Sequence, residues 1–152
     1  MNQRFDTTAA PYLACFVLFR KAGKLAFVLR SNTGYMDGKY GLPAGRVEKG
    51  ETTLTGAARE ALEEVGVTIQ PADLRHLLTT HRKSDADDTF WIDVYFEAAA
   101  WQGELYNAEP DKHGEVAWLD PANLPENMVP AIRDALGQIA AGRTYSEFGW
   151  DD

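Results

Sequence analysis

The chain contains a single cysteine, Cys15, among its 152 residues, which excludes an internal disulfide and a zinc site built from several thiolates. Cys15 lies in the apolar segment YLACFVLF, so we predict an inert thiol in the core rather than a reactive one. No apolar run approaches the roughly 20 residues that a membrane-spanning helix needs. The polar start MNQRFDTT is not followed by a signal-peptide pattern. These absences predict a soluble, cytoplasmic protein without a membrane partner.

Positive charge is also scarce, since 15 Lys and Arg face 23 Asp and Glu, giving a net charge of −8. Contact with the phosphates of a nucleic-acid polymer calls for clustered basic residues, so we do not expect a DNA or RNA polymer as partner. A small phosphorylated ligand remains compatible with this charge, because a divalent metal can join its phosphates to an acidic site. The length predicts one domain over residues 1–152, with a core at about 10–141 and a C-terminal tail at 142–152.

Strand and helix patterns follow one another along the chain. The segments YLACFVLFR and KLAFVLR, joined by KAG, are typical of a β-hairpin. Further strands are predicted at LRHLLTTHR, TFWIDVYFEAA and EVAWL. Between them, the glycine-rich segment from Ser31 to Glu51 is long for a connection inside a compact domain, which favours a functional loop. This mixture predicts an α/β or α+β protein.

Two helices are expected. The first runs from about Thr53 to Val65, with Thr52 as N-cap and Gly66 as the C-terminal stop. The second runs from about Val129 to Ala141 and has a proline in its first turn, where proline costs little. The aromatic and acidic tail RTYSEFGWDD could dock on its own domain, cap a homodimer or be disordered.

The first helix carries an unusual concentration of negative charge. Glu60, Glu63 and Glu64 are three and four residues apart, so their side chains cluster on one face and repel one another. One explanation is a solvated acidic face, partly neutralised by Arg59 and Lys49. The other is a hard divalent cation, because Mg²⁺ favours carboxylate oxygens and keeps water positions open for substrate phosphates.

The segment GRVEKGETTLTGAAREALEEVGV, residues 45–67, favours the second explanation. It resembles the Nudix box, G-x5-E-x7-R-E-U-x-E-E-x-G-U, at every fixed position. The single soft departure is Ala61, where a bulkier aliphatic residue is more usual. The chain is therefore identified as resembling the Nudix hydrolases of the MutT type. The resemblance implies an α/β/α sandwich around a mixed β-sheet and the cleavage of a nucleoside diphosphate linked to another group, with Mg²⁺ or Mn²⁺ as cofactor.

The same resemblance implies a metal site. Glu60 and Glu64 are the firmest expected ligands, Glu63 is a third ligand or a support for the bridging water, and the carbonyl of Ala44 is a further candidate. In physical terms, Gly45 lets the backbone turn close to a ligand and is expected to contact the substrate. Arg59 can fix the aim of a neighbouring carboxylate through a charge-assisted hydrogen bond.

Outside the box the resemblance extends over roughly residues 12–136, more weakly. A glutamate in the segment WQGELYNAEPDKHGEVAWL is expected to complete the metal site or act as base. By position this is Glu109, and Glu115 is the reserve candidate; either could also be an ordinary exposed loop acid. The predicted catalytic residues are thus Arg59, Glu60, Glu63, Glu64 and Glu109.

Candidate substrate contacts are fewer. Arg30 matches a position that contacts the nucleotide in MutT-type enzymes, and Asn127 lies near an asparagine that reads the base. A surface arginine and a turn asparagine are the alternatives. Tyr35, Phe90 and Trp91 could stack on a base, although strand aromatics are more often part of the core. The three histidines show no metal-ligand spacing and receive no role.

Missing family features narrow the substrate. ADP-ribose-cleaving relatives carry a proline past the box, and none occurs here between Pro71 and Pro110. Dinucleoside-polyphosphate cleavers carry a tyrosine there, and none occurs between Tyr40 and Tyr95. The resemblance therefore favours a (deoxy)nucleoside triphosphate as the small-molecule partner, with oxidised nucleotides included in that class. A nucleotide sugar or other nucleoside diphosphate derivative, or a non-catalytic nucleotide-binding regulator, are the alternatives.

Overall fold

The computed structural model describes residues 8–84 and 86–150. Within these residues it contains two α-helices, a short 3-10 turn at Pro71–Asp73 and nine strands. The helices are α1 (Thr53–Val65) and α2 (Pro130–Ala140). The strands are β1 (Tyr12–Leu18), β2 (Arg20–Lys21), β3 (Lys24–Arg30), β4 (Tyr40–Gly41), β5 (Ala44–Arg46), β6 (Leu74–Lys83), β7 (Phe90–Ala98), β8 (His113–Leu119) and β9 (Tyr145–Phe148).

These strands form two sheets. The larger sheet has five strands in the order β5-β1-β7-β6-β9 and is mixed, since β1–β7 and β6–β9 pair in parallel while β1–β5 and β6–β7 pair antiparallel. The smaller sheet contains β2, β3 and β4, with β8 pairing antiparallel to the other side of β3. No described helix is long and apolar enough to cross a membrane.

The predicted hairpin between YLACFVLFR and KLAFVLR was wrong in its pairing. The strand β1 pairs with β5 and β7 in the larger sheet, and the hairpin is formed by β2 and β3 in the smaller one. The chain changes sheets at Phe19, which is fully buried and packs edge-on against Trp101 with ring centroids 5.2 Å apart. The backbone N–H of Ala26 donates to the Phe19 carbonyl at 3.1 Å across this change. The segment YLACFVLFR therefore contributes β1 to the larger sheet and the start of β2 to the smaller sheet.

Alternate residues of β1 face the two helices. Cys15 and Val17 belong to the core cluster that includes the α1 residues Ala57, Ala61 and Val65. Leu18 belongs to the cluster that includes the apolar face of α2, and Phe16 packs against that cluster. The helices thus cover opposite faces of the sheets, which confirms the predicted α/β/α arrangement. Burial raises the pKa of the Cys15 thiol to about 12, as expected for an inert core thiol.

The predicted bounds of α1 are confirmed at both ends. Thr52 and Thr55 form a reciprocal capping box, and the C-terminal Gly66 adopts a left-handed conformation with φ of 71°. A side chain at Gly66 would also collide with Tyr106, because an added Cβ would lie 2.0 Å from the ring. The loop that follows β7 therefore packs directly on the end of the helix that carries the acidic cluster.

The described part of the C-terminal tail, up to Trp150, docks on its own chain, and Asp151 and Asp152 lie outside the described residues. Its strand β9 extends the larger sheet by pairing in parallel with β6, and the hydroxyls of Thr80 and Ser146 form a buried hydrogen bond of 2.8 Å. Trp150 stacks on Phe90 at 5.2 Å between ring centroids and donates its indole N–H to the His81 carbonyl. Of the three alternatives for the tail, docking is the one observed; the homodimer stays a prediction.

Candidate active site

A cleft of about 1330 Å³ lies over the face of the larger sheet, bordered by the glycine-rich loop and by the acidic side of α1. All of the predicted site residues line it except Asn127. The side-chain amide of Asn127 instead donates to the carbonyl of Gly38 at 3.1 Å, which ties two loops together. A role for Asn127 in reading a base thus has no support from its position.

Arg59 is the hydrogen-bonding centre of the acidic cluster. Its Nε and Nη2 donate to the two carboxylate oxygens of Glu51 at 3.0 and 2.7 Å, and Nη2 also donates to the carbonyl of Arg46 at 3.1 Å. Its Nη1 donates to Glu60 at 2.8 Å and to Glu63 at 3.2 Å. These contacts use all five N–H donors of the guanidinium. Arg59 therefore holds the carboxylates of Glu51, Glu60 and Glu63 and ties α1 to the preceding loop.

This network has electrostatic consequences. The hydrogen bonds from Arg59 lower the pKa of Glu51 to about 2. Those same bonds, chiefly the one to Glu51, raise the pKa of Arg59. Glu51 is therefore a permanently ionised structural carboxylate at neutral pH, and its charge serves to hold the arginine.

Glu60 sits against the backbone of Gly45. A Cβ added to Gly45 would lie 2.1 Å from the carboxyl carbon of Glu60, so only glycine leaves room for this carboxylate. Burial raises the pKa of Glu60, the bond from Arg59 opposes that shift, and the negative charges of Glu63 and Glu109 add to it. The role of Gly45 here is to admit a carboxylate beside the sheet edge.

Glu64 is the most buried acid of the cluster, with 8% of its surface exposed. Its Oε2 accepts a hydrogen bond of 3.1 Å from the backbone N–H of Ala44 and lies 3.9 Å from Nε2 of His113. Burial, followed by the charge of Glu60, raises the pKa of Glu64 well above its ordinary value. The loop after β7 reinforces this position, since Ala108 N–H donates to the Glu64 carbonyl at 3.0 Å.

The donor set fits a hard divalent cation. Carboxylate oxygens that repel one another, together with a backbone carbonyl, are the ligands that Mg²⁺ prefers. Within residues 8–84 and 86–150, however, no three acidic, histidine or cysteine side chains are already arranged around one metal position. The reason lies in their hydrogen bonds, because Arg59 engages Glu60 and Glu63 while Ala44 N–H engages Glu64. Binding a cation would require some of these bonds to be exchanged.

Glu109 and Glu115, the two candidates for an additional acid, lie in different places. Glu109 lines the cleft, and its carboxylate is 3.3 Å from Nζ of Lys112. Glu115 lies on β8 outside the cleft lining and accepts a hydrogen bond from the phenol of Tyr40. The position of Glu109 agrees with its predicted place beside the cluster, and its chemical role stays a prediction.

Arg30 lies at the end of β3 and faces the same cleft. Its Nε donates to the Tyr35 carbonyl at 2.8 Å, its Nη2 donates to Thr33 at 3.2 Å, and its guanidinium lies 5.5 Å from the Tyr35 ring centroid. Of the aromatic residues considered for stacking, Tyr35 and Trp91 line the cleft, whereas Phe90 packs against the tail. The glycine-rich loop is thus held over the cleft by an arginine that also lines it.

Three residues of the site region were missed from sequence. Arg82 on β6 lines the cleft and binds the fully buried Asp93 of the neighbouring strand β7 through both carboxylate oxygens. His113 is 5% exposed, burial lowers its pKa, and its Nδ1 has no partner in the described part of the chain. A charged residue inside an otherwise apolar strand, as in FWIDVYF, was the available signal for Asp93.

Comparisons with known proteins agree with this geometry. Residues 10–138 match the family described as NUDIX domain. Over 100 residues, 63% of the chain, it is 31% identical to a Mycobacterium tuberculosis protein whose provisional name is 8-oxo-dGTP diphosphatase 3, and it spans 45% of that relative's length. It is 25% identical over 151 residues to the RNA pyrophosphohydrolase of Dinoroseobacter shibae, covering 88% of this chain and 92% of that one.

A solved structure gives the same result at the level of the fold. The crystal structure of a MutT NUDIX hydrolase from Burkholderia pseudomallei superposes with a TM-score of 0.77 at 27% identity, covering 85% of this chain and 98% of the other. The family match includes β1, the whole of α1 with its acidic cluster, and most of α2. The chain belongs to the NUDIX domain family.

Proposed function

We propose that the protein is a Mg²⁺-dependent pyrophosphohydrolase that converts a (deoxy)nucleoside triphosphate to the monophosphate and pyrophosphate. The observation that carries the proposal is the placement of the acidic cluster. Glu60, Glu63, Glu64 and Glu109 face one cleft whose volume of about 1330 Å³ is ample for a nucleotide. The same lining contains the basic residues Arg30, Arg46, Lys49 and Lys112, which suit phosphates that a metal alone would not neutralise.

In this proposal Glu60, Glu63 and Glu64 would hold the metal, and Glu109 and the Ala44 carbonyl would be further oxygen donors. Bound Mg²⁺ supplies charge neutralisation of the phosphate oxygens and lowers the pKa of coordinated water. The chain's own part is positional. Arg59 aims Glu60, the Ala44 N–H aims Glu64, and Gly45 admits the carboxylate to the sheet edge.

The end of an RNA chain is an alternative to the free nucleotide, because a relative of which this chain covers 92% is named RNA pyrophosphohydrolase. The net charge of −8 favours the free nucleotide, since contact with an RNA body calls for clustered basic residues. Nucleotide sugars are the remaining alternative for the group attached to the diphosphate. A regulator that binds nucleotide without cleaving it has no chemical need for several clustered carboxylates.

The test is a hydrolysis screen with and without Mg²⁺ over dNTPs, oxidised dNTPs, NTPs, nucleotide sugars and 5′-triphosphorylated RNA, with products identified. The predicted result is Mg²⁺-dependent release of pyrophosphate from a nucleoside triphosphate. Glu64→Gln should lower kcat/KM by about 100-fold or more with the fold intact. Glu104→Gln is the matched control, because Glu104 is exposed and lies outside the cleft lining. Near-full turnover in Glu64→Gln, or tight binding without turnover in the wild type, would contradict the proposal.

A further inference from the structure

The floor of the cleft contains a buried ion pair that the proposed chemistry does not use. Asp93 is fully buried, the side chain of Arg82 is 12% exposed, and Nε and Nη2 of Arg82 bind both carboxylate oxygens of Asp93. A buried ion pair contributes little net stability compared with a well-packed apolar pair of similar volume. Its presence on the floor of a ligand-sized cleft therefore points to a role in recognition.

Strand register places this pair away from the acidic cluster. Ala44 of β5 pairs with Phe16 of β1, and Phe16 pairs with Tyr95 of β7, so these three residues form one row across the sheet. Asp93 is two residues further along β7 on the same face, and Arg82 reaches it from β6. The strands β5 and β7 are two strand spacings apart, which is about 10 Å. The acidic cluster lies beside β5, so a substrate with its phosphates at that cluster would place its other end near the Arg82–Asp93 pair.

The charge of the pair argues for a neutral ligand group. Asp93 balances Arg82, which leaves Arg82 as an oriented hydrogen-bond donor rather than as a free positive charge. The basic residues suited to phosphate lie elsewhere in the lining, at Arg30, Arg46, Lys49 and Lys112.

The surroundings of Arg82 favour a planar ring. Its guanidinium lies 5.1 Å from the centroid of the Trp91 ring, and the neighbouring rings of Phe16 and Tyr95 stack at 4.5 Å. Arg82 and these three aromatic residues line the cleft, whereas Asp93 lies beneath the lining. An aromatic floor with one fixed guanidinium suits a nucleobase that presents hydrogen-bond acceptors.

We propose that Arg82, held by Asp93 and backed by Trp91, is the residue that selects a guanine-type base over an adenine-type base. Guanine presents two adjacent acceptors, O6 and N7, to an arginine, whereas adenine presents one acceptor and an amino donor. The inference rests on the proposed function, because it assigns the base of the substrate that the acidic cluster would cleave. Arg82 is therefore a specificity residue and Asp93 a positioning residue.

The experiment compares kcat/KM for dGTP and dATP in the wild type, Arg82→Lys, Arg82→Gln and the double variant Arg82→Gln/Asp93→Asn. The double variant removes the risk that an unpaired buried Asp93 unfolds the protein. Arg75→Gln is the matched control, since Arg75 pairs with Glu97 across the same two strands but is 65% exposed and lies outside the cleft lining. Calorimetric binding of dGMP and dAMP provides a readout that does not depend on turnover.

The expected result is a wild-type preference for dGTP that falls by about 5- to 150-fold in the Arg82 variants and in the double variant. Arg75→Gln should keep the preference. A preference retained in folded Arg82→Gln/Asp93→Asn overturns the inference, and so does a wild type that does not prefer guanine. If the wild type cleaves no nucleotide, the proposed function fails, and the dGMP to dAMP affinity ratio then decides the inference by the same criterion.

Discussion

Gly45 controls the position of the Glu60 carboxylate by leaving it room. Because an added Cβ would lie 2.1 Å from the carboxyl carbon, Gly45→Ala should push Glu60 out of its bond with Arg59. A displacement of about 1 Å in such a group can cost about 100-fold in rate, so we expect a fall of that order in kcat/KM. The fall in kcat/KM is measured by steady-state kinetics of the wild type and Gly45→Ala over a range of Mg²⁺ concentrations.

The control for that substitution is Gly137→Ala in α2. Nothing lies within 4 Å of a Cβ added there, and alanine is the better helix former. Gly137→Ala should keep full activity and gain up to about 1 kcal/mol of stability. Wild-type activity in Gly45→Ala would show that Glu60 does not need its observed position.

The ionised carboxylate of Glu51 is expected to make the protein less stable as the pH falls. Its pKa is about 2 in the folded protein against an ordinary value of 4.5, because Arg59 binds the carboxylate. The folded state therefore holds fewer protons than the unfolded state between these values, and the contribution is lost as pH falls from about 4.5 toward 2. Glu51→Gln should lower stability at pH 7 and flatten its loss between pH 5 and pH 3 in denaturant titrations.

An identical acid slope in the wild type and Glu51→Gln would contradict this account. Glu104→Gln again serves as control, since that exposed carboxylate lies away from Arg59 and should leave the slope unchanged.

Sequence spacing was sufficient to predict that the residues of the acidic cluster lie close together. It was insufficient to predict the Arg82–Asp93 contact at the floor of the cleft. Glu60, Glu63 and Glu64 are neighbours on one helix, so their proximity follows from helical geometry alone. Arg82 and Asp93 meet across two strands, and their contact depends on a register that includes a bulge between His76 and Leu78. No pattern within either strand specifies that register, which explains why the pair was missed.

At the scale of elements, β9 is held to β6 by a testable contact. The hydroxyls of Thr80 and Ser146 are buried and bind each other at 2.8 Å, so Ser146→Ala leaves the Thr80 hydroxyl without its partner. We expect a loss of about 1 to 3 kcal/mol in the free energy of unfolding, measured by chemical denaturation. Thr144→Ala, an exposed change next to the same strand, should have little effect.

A double-mutant cycle separates this hydrogen bond from simple loss of packing. Replacing both partners, as in Thr80→Val/Ser146→Ala, removes the unsatisfied donor as well as the bond, so the double variant should be more stable than Ser146→Ala. If the two single effects simply add, the hydroxyl pair does not contribute to docking of the tail.

Local signals explain which elements could be predicted. The bounds of α1 were correct because Thr52 and Gly66 specify both of its ends chemically. The strands β4 and β5, of two and three residues, were missed inside the glycine-rich loop because such short strands have no periodicity of their own. The change of sheet at Phe19 was missed for a related reason, since an unbroken apolar run carries no mark of where its partner strand changes.

At the scale of the whole molecule, the fold brings residues of both helices, both sheets and several loops together around the cleft. Residues 45–67, which match the Nudix box, form one wall of the cleft. This wall is connected to the floor through the larger sheet, where Phe16 pairs with both Ala44 and Tyr95. Acidic charge is concentrated at one end, and an aromatic floor with a neutralised arginine lies at the other. Under the proposed function, this polarity would orient a nucleotide with its phosphates toward α1.

If Mg²⁺ binds as we propose, it should also stabilise the whole domain. The protein carries a net charge of −8, and burial, together with the negative charges of neighbouring acids, raises the pKa values of Glu60 and Glu64. A cation that binds only the folded state stabilises it by about 1.4 kcal/mol at ten times its Kd, which shifts Tm by a few degrees in a domain of this size. Thermal unfolding in MgCl₂, compared with NaCl at equal ionic strength, should show this shift in the wild type and in Glu104→Gln. The Glu64→Gln variant should lose it, because general screening by salt is the same in both variants. An equal Mg²⁺ shift in Glu64→Gln would place the cation elsewhere on the acidic surface and remove the basis for the metal site at α1.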